Sequence, residues 1–138
     1  MKLIPHFTFD GNAEEALNFY ASVFNGKIES LIRYKDFQSD MPDGVSEKDM
    51  NRLVYSSVTI GDGYQIDICD YDPGETRSIG SCIFMDVCYI DQAELKRVYE
   101  AISADGKVII PLGKTHWSEN FACVIDKFGI GWNLMQEE

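Results

Sequence analysis

An internal repeat limits what this chain can fold into more than any other feature of its sequence. One helical pattern begins at Asn12 and a second begins at Asp91, and each has a Glu three residues later, the arrangement of a capping box. Gly26 and Gly106 follow the two patterns, 80 residues apart, where we expect each helix to end on a left-handed glycine. Two amphipathic helices with similar start and stop signals are therefore predicted, one in each half of the chain.

Short segments of β-like sequence surround each helix in the same order. One precedes the helix and three follow it, and the last two are joined by tight turns that place Gly63 and Gly129 66 residues apart. The predicted strands after the helices are 28–34, 54–60 and 64–68 in the first half and 107–112, 121–125 and 130–134 in the second. We therefore predict an α+β protein of two tandem βαβββ units, residues 1–72 and 75–138, that together form one domain.

The first copy carries an additional polar segment, Lys35 to Arg52, between its second and third strands. The repeat offset falls from 80 residues at the helix ends to 66 at the hairpins, so this segment contains 14 additional residues. Residues 42–44, Pro-Asp-Gly, favour a turn, and Phe37 and Met41 could contact a ligand or a partner subunit. Because long loops are often lids, we predict a mobile flap near the mouth of the first unit's sheet. A solvated insertion without a function is the alternative.

Charge and composition limit the possible partners and the compartment. The chain has 12 basic and 23 acidic residues, a net charge of −11, which argues against binding to nucleic acids or to anionic membranes. No apolar run approaches the roughly 20 residues of a membrane span, and the N-terminus has no signal-peptide pattern, so we expect a cytoplasmic protein. The four cysteines form no CxxC pair, and we expect them to be buried, reduced thiols.

Three segments carry a family resemblance: FDGNAEEALNFY at 9–20, PLGKTHW at 111–117 and DKFGIGW at 126–132. Together with the βαβββ repeat, they resemble the PhnB-like proteins of the vicinal oxygen chelate superfamily, which includes glyoxalases, extradiol dioxygenases and bleomycin resistance proteins. The resemblance implies cupped mixed β-sheets with flanking helices, the glyoxalase/bleomycin resistance fold, and a homodimer. Some members of the group are labelled demethylubiquinone methyltransferases, but this chain shows no glycine-rich nucleotide loop.

The resemblance also implies a divalent metal, held by His, Glu or Gln side chains from the first and last strand of each unit. An ungapped alignment puts Pro5, which has no donor atom, at the first position and Asp67 at the second. The third position lies near 84–86, and the fourth is Asn133, whose amide oxygen is a poor ligand. His6 would point to the face opposite Pro5, because side chains alternate along a strand. We therefore predict no tightly bound metal. The alternative is a weak site, which after a shift of two strands would use His6, Asp67, Asp86 and Asn133.

Other catalytic chemistries have less support in the sequence. The chain has no GxSxG nucleophile elbow and no phosphate-binding loop, and no cysteine lies in the context of a known nucleophile. His116, next to Trp117, could be an acid–base group or an exposed turn residue, and we favour the turn residue.

A ligand pocket on the concave side of the sheets remains. Alternate strand residues would line it, so Trp132, which alternates with Asn133, is predicted to lie in the core. The predicted pocket residues are Tyr55, Asp67, Phe121 and Asn133 on the strands, together with His6 and the loop residue Trp117. We expect a protein that binds a small organic molecule without a cofactor. The alternatives are a metal-dependent enzyme of glyoxalase, dioxygenase or thiol-transferase type, and a structural protein with a collapsed pocket.

Overall fold

The computed structural model describes residues 1–37 and 45–137, which divide into two compact units, Met1–Thr76 and Arg77–Glu138. Each unit contains one α-helix and one four-stranded sheet in the order βαβββ, which confirms the predicted fold class. The first unit comprises β1 (His6–Phe9), α1 (Ala13–Val23), β2 (Lys27–Arg33), β3 (Leu53–Ile60) and β4 (Tyr64–Asp70). The second comprises β5 (Phe84–Tyr89), α2 (Gln92–Ser103), β6 (Lys107–Gly113), β7 (Phe121–Ile125) and β8 (Gly131–Gln136). Within the described residues, neither α-helix has the length and apolar character needed to span a membrane.

The two sheets have the same topology. Their strand orders are β1-β4-β3-β2 and β5-β8-β7-β6, and in each the first strand pairs in parallel with the last while the other pairs are antiparallel. The pairing places His6 opposite Asp67 in one sheet and Asp86 opposite Asn133 in the other. Residues paired in this way point to the same face of a sheet.

One face of each sheet packs against its helix. In α2, Leu95, Val98 and Ile102 are fully buried, at the spacing of a helix face that packs on a core. In β8, Trp132 and Leu134 are 1% and 0% exposed, which confirms the predicted core position of Trp132. We call the opposite side the helix-free face; it carries Gln65, Asp67 and Cys69 of β4 and Asn133 and Met135 of β8.

The predicted N-cap is present at the start of α2 and absent at the start of α1. Asp91 accepts hydrogen bonds from the backbone N–H groups of Ala93 at 2.7 Å and Glu94 at 3.4 Å, as an N-cap residue should. Asn12 makes no such side-chain bond. The prediction is wrong there because Asp70, at the end of β4, accepts the N–H of Ala13 at 3.1 Å and replaces the local cap.

Gly26 and Gly106 are required for a reason other than the predicted one. The left-handed residues at the helix ends are Asn25 (φ 49°) and Asp105 (φ 58°), each one position earlier than predicted. A Cβ on Gly26 would lie 2.9 Å from the carbonyl oxygen of Thr59, and one on Gly106 would lie only 2.6 Å from a backbone oxygen of β7. Both glycines therefore allow close approach of the chain to the neighbouring hairpin.

The polar insertion of the first unit is described only at its ends. Residues 38–44, which include Met41 and the predicted turn, lie outside the described residues, so the flap remains a prediction. The flanking chain forms short 3-10 helices at Tyr34–Phe37 and Glu47–Asp49. The backbone N–H of Lys35 donates to the carbonyl oxygen of Met50 at 3.0 Å, so the two ends are tied together.

Candidate functional site

A hydrogen-bonded polar cluster occupies the helix-free face of the first unit. The hydroxyl of Tyr55 donates to Oδ1 of Asp67 at 3.2 Å, and the amide of Gln65 donates to the same oxygen at 2.7 Å. All three side chains are partly buried, and Lys2 reaches the cluster through a 2.8 Å bond to the Gln65 amide oxygen. Two predicted pocket residues, Tyr55 and Asp67, are therefore in direct contact, and they present polar groups held in fixed positions.

His6, one of the predicted pocket residues, lies on this face as well, opposite Asp67, which corrects the alignment that turned it to the other side of the strand. Its Nε2 lies 3.1 Å from the sulfur of Cys69, two residues beyond Asp67 on β4. The alignment through Pro5 failed because β1 begins only at His6, while the Pro5 carbonyl accepts the Asp67 N–H at 2.9 Å. An imidazole and a thiol at this separation share a hydrogen bond, and sequence reasoning did not foresee the pair.

The helix-free face of the second unit is richer in sulfur and apolar groups. Asn133 donates to the carboxylate of Asp86 at 2.8 Å, so the predicted pocket residue is paired with an acid on the neighbouring strand. Burial, followed by the negative charge of Asp86, raises the pKa of the Cys123 thiol, so this thiol stays neutral near pH 7. The expected burial of the cysteines holds for Cys123 and is wrong for Cys82 and Cys88, which are exposed.

A cavity of about 300 Å³ opens on this unit beside Trp117. That volume is at the lower end of the range for small-ligand sites. The Trp117 side chain is 65% exposed, and its ring meets the buried ring of Phe121 edge-on with centroids 5.5 Å apart. The lining residues are Cys88, Trp117, Ser118, Glu119, Met135, Gln136 and Glu137. Of the predicted pocket residues, Trp117 lines this cavity. Phe121 contacts the Trp117 ring but does not line the cavity, and neither does Asn133.

A second cleft, of about 340 Å³, lies at the N-terminal end of α1 and contains a network of ion pairs around Arg52. The guanidinium of Arg52 donates to Asp49 and Asp10, each at 2.8 Å, and to the Tyr71 carbonyl oxygen at 3.2 Å. Hydrogen bonds from Ser46, and then from Arg52, lower the pKa of the Asp49 carboxyl. These hydrogen bonds tie the end of the polar insertion to the segments around Asp10 and Tyr71. We therefore assign Arg52 a structural role.

The described side chains do not form a metal site of the kind implied by the family resemblance. No group of three or more His, Cys, Asp or Glu residues among residues 1–37 and 45–137 is placed to hold a metal ion. The positions that the resemblance assigns to the metal are occupied by His6 opposite Asp67 in the first sheet and by Asp86 opposite the amide of Asn133 in the second. Both carboxylates already accept hydrogen bonds, from Gln65 and from Asn133 respectively. The described residues of each unit therefore do not bring together the donor set of a catalytic metal site.

Sequence reasoning missed Gln65, Cys88, Met135 and Glu137. Gln65 could have been found, because it is two residues from Asp67 and therefore on the same face of β4. Cys88 and Met135 are adjacent only through the parallel pairing of β5 with β8, which one sequence does not specify.

Comparisons with known proteins agree with this architecture. The family model of 3-demethylubiquinone-9 3-methyltransferase matches residues 1–135. Protein YjdN of Escherichia coli (strain K12) is 26% identical over 142 residues, which cover 97% of this chain and 94% of that protein. A solved structure of a putative 3-demethylubiquinone-9 3-methyltransferase, the PhnB protein from Bacillus cereus, is 26% identical, with a TM-score of 0.80 and coverage of 99% of this chain and 100% of that one.

A more distant structure supports the fold alone. The glyoxylase/bleomycin resistance protein/dioxygenase domain from Frankia sp. EAN1pec is 11% identical, with a TM-score of 0.69 over 100% of this chain and 98% of that one. The predicted PhnB-like resemblance and the glyoxalase/bleomycin resistance fold are therefore confirmed.

Proposed function

The chain belongs to the 3-demethylubiquinone-9 3-methyltransferase family, and we propose that it binds a small organic molecule on the helix-free face of its sheets. The cavity beside Trp117 carries this proposal. The lining includes an exposed indole, a thioether and a thiol, together with two carboxylates. Apolar walls with a few placed polar groups are typical of sites for small ligands.

The polar cluster of the first unit supports the same role. Tyr55, Gln65 and Asp67 are fixed by mutual hydrogen bonds, so they would lose little conformational entropy when a ligand binds. A hydroxyl, an amide and a carboxylate can recognise a polar molecule by its donors and acceptors. We propose that the protein acts in the cytoplasm as a homodimer, as its family resemblance and its sequence favour.

A thermal-shift screen with a fragment library tests the proposal. A ligand that binds the native protein raises its melting temperature by mass action, so we expect hits whose effect falls in Trp117→Leu. The matched control is Tyr64→Leu, since Tyr64 is also an exposed aromatic, at 73%, and does not line the cavity. The proposal is wrong if no fragment stabilises the protein. If both variants respond to every hit as the wild type does, the cavity beside Trp117 is not the binding site.

The metal-dependent alternative has one observation in its favour. The pairing of His6 with Asp67 puts both side chains on one face without the strand shift that the ungapped alignment required. Titration of the purified protein with Zn²⁺, Ni²⁺ and Mn²⁺, monitored by calorimetry, separates the two proposals. Tight stoichiometric binding that is lost in His6→Ala and Asp67→Ala would favour the enzyme.

A further inference from the structure

The cavity beside Trp117 combines an open aromatic ring with acidic side chains. We propose that it selects an organic cation with an alkylated ammonium group; this ligand class rests on the proposed function and makes it more specific. Seven residues line the cavity, and two of them, Glu119 and Glu137, carry carboxylates. None of the described lining residues is Lys, Arg or His. The charged residues of the lining are therefore both acidic, and the one cation shown to pair with them, Lys114, is bonded to Glu119.

The aromatic wall is held in place by its own loop. The hydroxyl of Thr115 accepts the N–H groups of Trp117 at 3.4 Å and Ser118 at 3.1 Å. The Thr115 N–H in turn donates to the Ser118 carbonyl oxygen at 2.9 Å, which closes the turn. Phe121 meets the indole at an interplanar angle of 75° and so supports its position. The electron-rich face of a Trp ring is the strongest aromatic partner for an ammonium group.

Two further lining residues, Met135 and Cys88, are uncharged. Met135 and Cys88 are partners in the pairing of β8 with β5, so their sulfur atoms are on the same face. Although much of Cys88 is accessible to solvent, desolvation of its thiol raises its pKa, and the charges of Glu137 and Asp86 raise it further. The thiol therefore stays neutral, and the negative potential that disfavours a thiolate here would favour a cation. The methyl groups of an alkylated ammonium can contact these apolar side chains directly, whereas a metal ion would keep its shell of water.

The two carboxylates differ in how much charge they can offer. Glu119 is paired with Lys114 at 2.5 Å, and both side chains are well exposed, so its charge is largely balanced. Glu137 is placed by its backbone, whose N–H donates to the Tyr89 carbonyl oxygen at 2.9 Å. Because the charge of Glu119 is balanced, we expect Glu137 to be the carboxylate that faces the ammonium group. The ring of Trp117 would then cover the ammonium group.

Choline and 3,3-dimethylbutan-1-ol are suitable probes, because they have the same shape and differ in charge. We expect choline to bind the full-length protein about tenfold more tightly than the neutral alcohol in an NMR titration at low salt. Added salt should weaken choline binding and leave the alcohol unaffected. Equal affinities would overturn the cation preference while leaving small-molecule binding intact. No binding of either probe would also overturn it, and the fragment screen would then decide the proposed function separately.

Three variants assign the effect to residues. Glu137→Gln should weaken choline about threefold and leave the alcohol unchanged, because the substitution removes charge but keeps shape. Trp117→Leu should abolish the preference for choline, and Trp117→Phe, which keeps an aromatic face, should retain most of it. Tyr64→Leu is the control and should bind as the wild type does. A choline affinity that is the same in Trp117→Leu as in the wild type would place the cation elsewhere and overturn the inference.

Discussion

The two units reach the same βαβββ fold with different chemistry at the start of the helix. In the first unit the buried carboxylate of Asp70, 6% exposed, accepts the N–H groups of Gly11 at 2.7 Å, Ala13 at 3.1 Å and Leu53 at 2.9 Å. In the second, the exposed side chain of Asp91 caps its own helix. One helix is therefore anchored by tertiary structure and the other by its local sequence. The repeat preserves the fold without preserving the interactions that hold it.

The helix-free faces of the units differ as well. The first presents hydrogen-bonded polar groups around Asp67, whereas the second presents sulfur and aromatic groups around a cavity. The proposed ligand binding would therefore use polar groups on the first unit and apolar groups on the second.

The largest expected effect belongs to Asp70→Ala. The substitution removes the acceptor of three N–H groups in a buried site, and we expect a loss of about 3 kcal/mol in the free energy of unfolding. Urea denaturation measures it. Asp70→Asn, which retains an acceptor, should recover part of the loss, and a loss below that of Asp91→Ala would contradict the tertiary anchor.

The repeated glycines should come next. Gly106→Ala should cost about 2 kcal/mol, because its Cβ would meet the backbone oxygen of Ile125 and backbone is hard to displace. Gly26→Ala should cost less, since two of its three nearest atoms belong to side chains that can adjust. Gly80→Ala, with nothing within 4 Å, is the control for both and should be neutral in thermal or urea denaturation. Equal losses at all three positions would show that close approach is not the reason for the glycines.

Asp91→Ala should have a smaller effect, about 1 kcal/mol, as expected for the loss of an N-cap. Asp91→Ser should restore most of it, because a hydroxyl can accept the same N–H groups. The difference in urea midpoint between the Ala and Ser variants measures the cap alone. If the two variants are equally stable, the second helix does not depend on local capping.

The smallest effect concerns the exposed pair on α2. A hydrogen bond from Arg97 lowers the pKa of the Glu94 carboxyl in the folded protein. The pair therefore stabilises the protein fully above the unfolded-state pKa of Glu. That stabilisation is lost as the pH falls through the lower, folded-state pKa. Glu94→Gln should reduce stability near pH 7 by about 0.5 kcal/mol or less. Urea denaturation of both proteins from pH 7 to acid should show the difference disappearing, and a difference that grows in acid would reverse the sign of the linkage.

The repeat was sufficient to predict the elements, since amphipathic spacing and alternation appear twice and reinforce each other. Prediction failed where a distant partner decides the outcome. Asn12 has the sequence of a cap, but Asp70 replaces it from the end of β4. The position of His6 depended on where β1 begins, and strand register is weakly specified by so short a segment. The cavity beside Trp117 is formed by a loop and two strand ends that are distant in the sequence. Of its lining residues, only Trp117 was predicted from the sequence.

Ligand binding on the helix-free faces is tested most directly by mapping NMR chemical-shift changes as fragment hits are added to the isotope-labelled protein. We expect the largest changes at the indole N–H of Trp117, at Met135 and at Cys88, or at Tyr55 and Asp67 of the first unit, with the Trp132 indole N–H, bonded to Asp126 at 2.8 Å in the core, unmoved. Changes confined to the helices α1 and α2 would contradict the account.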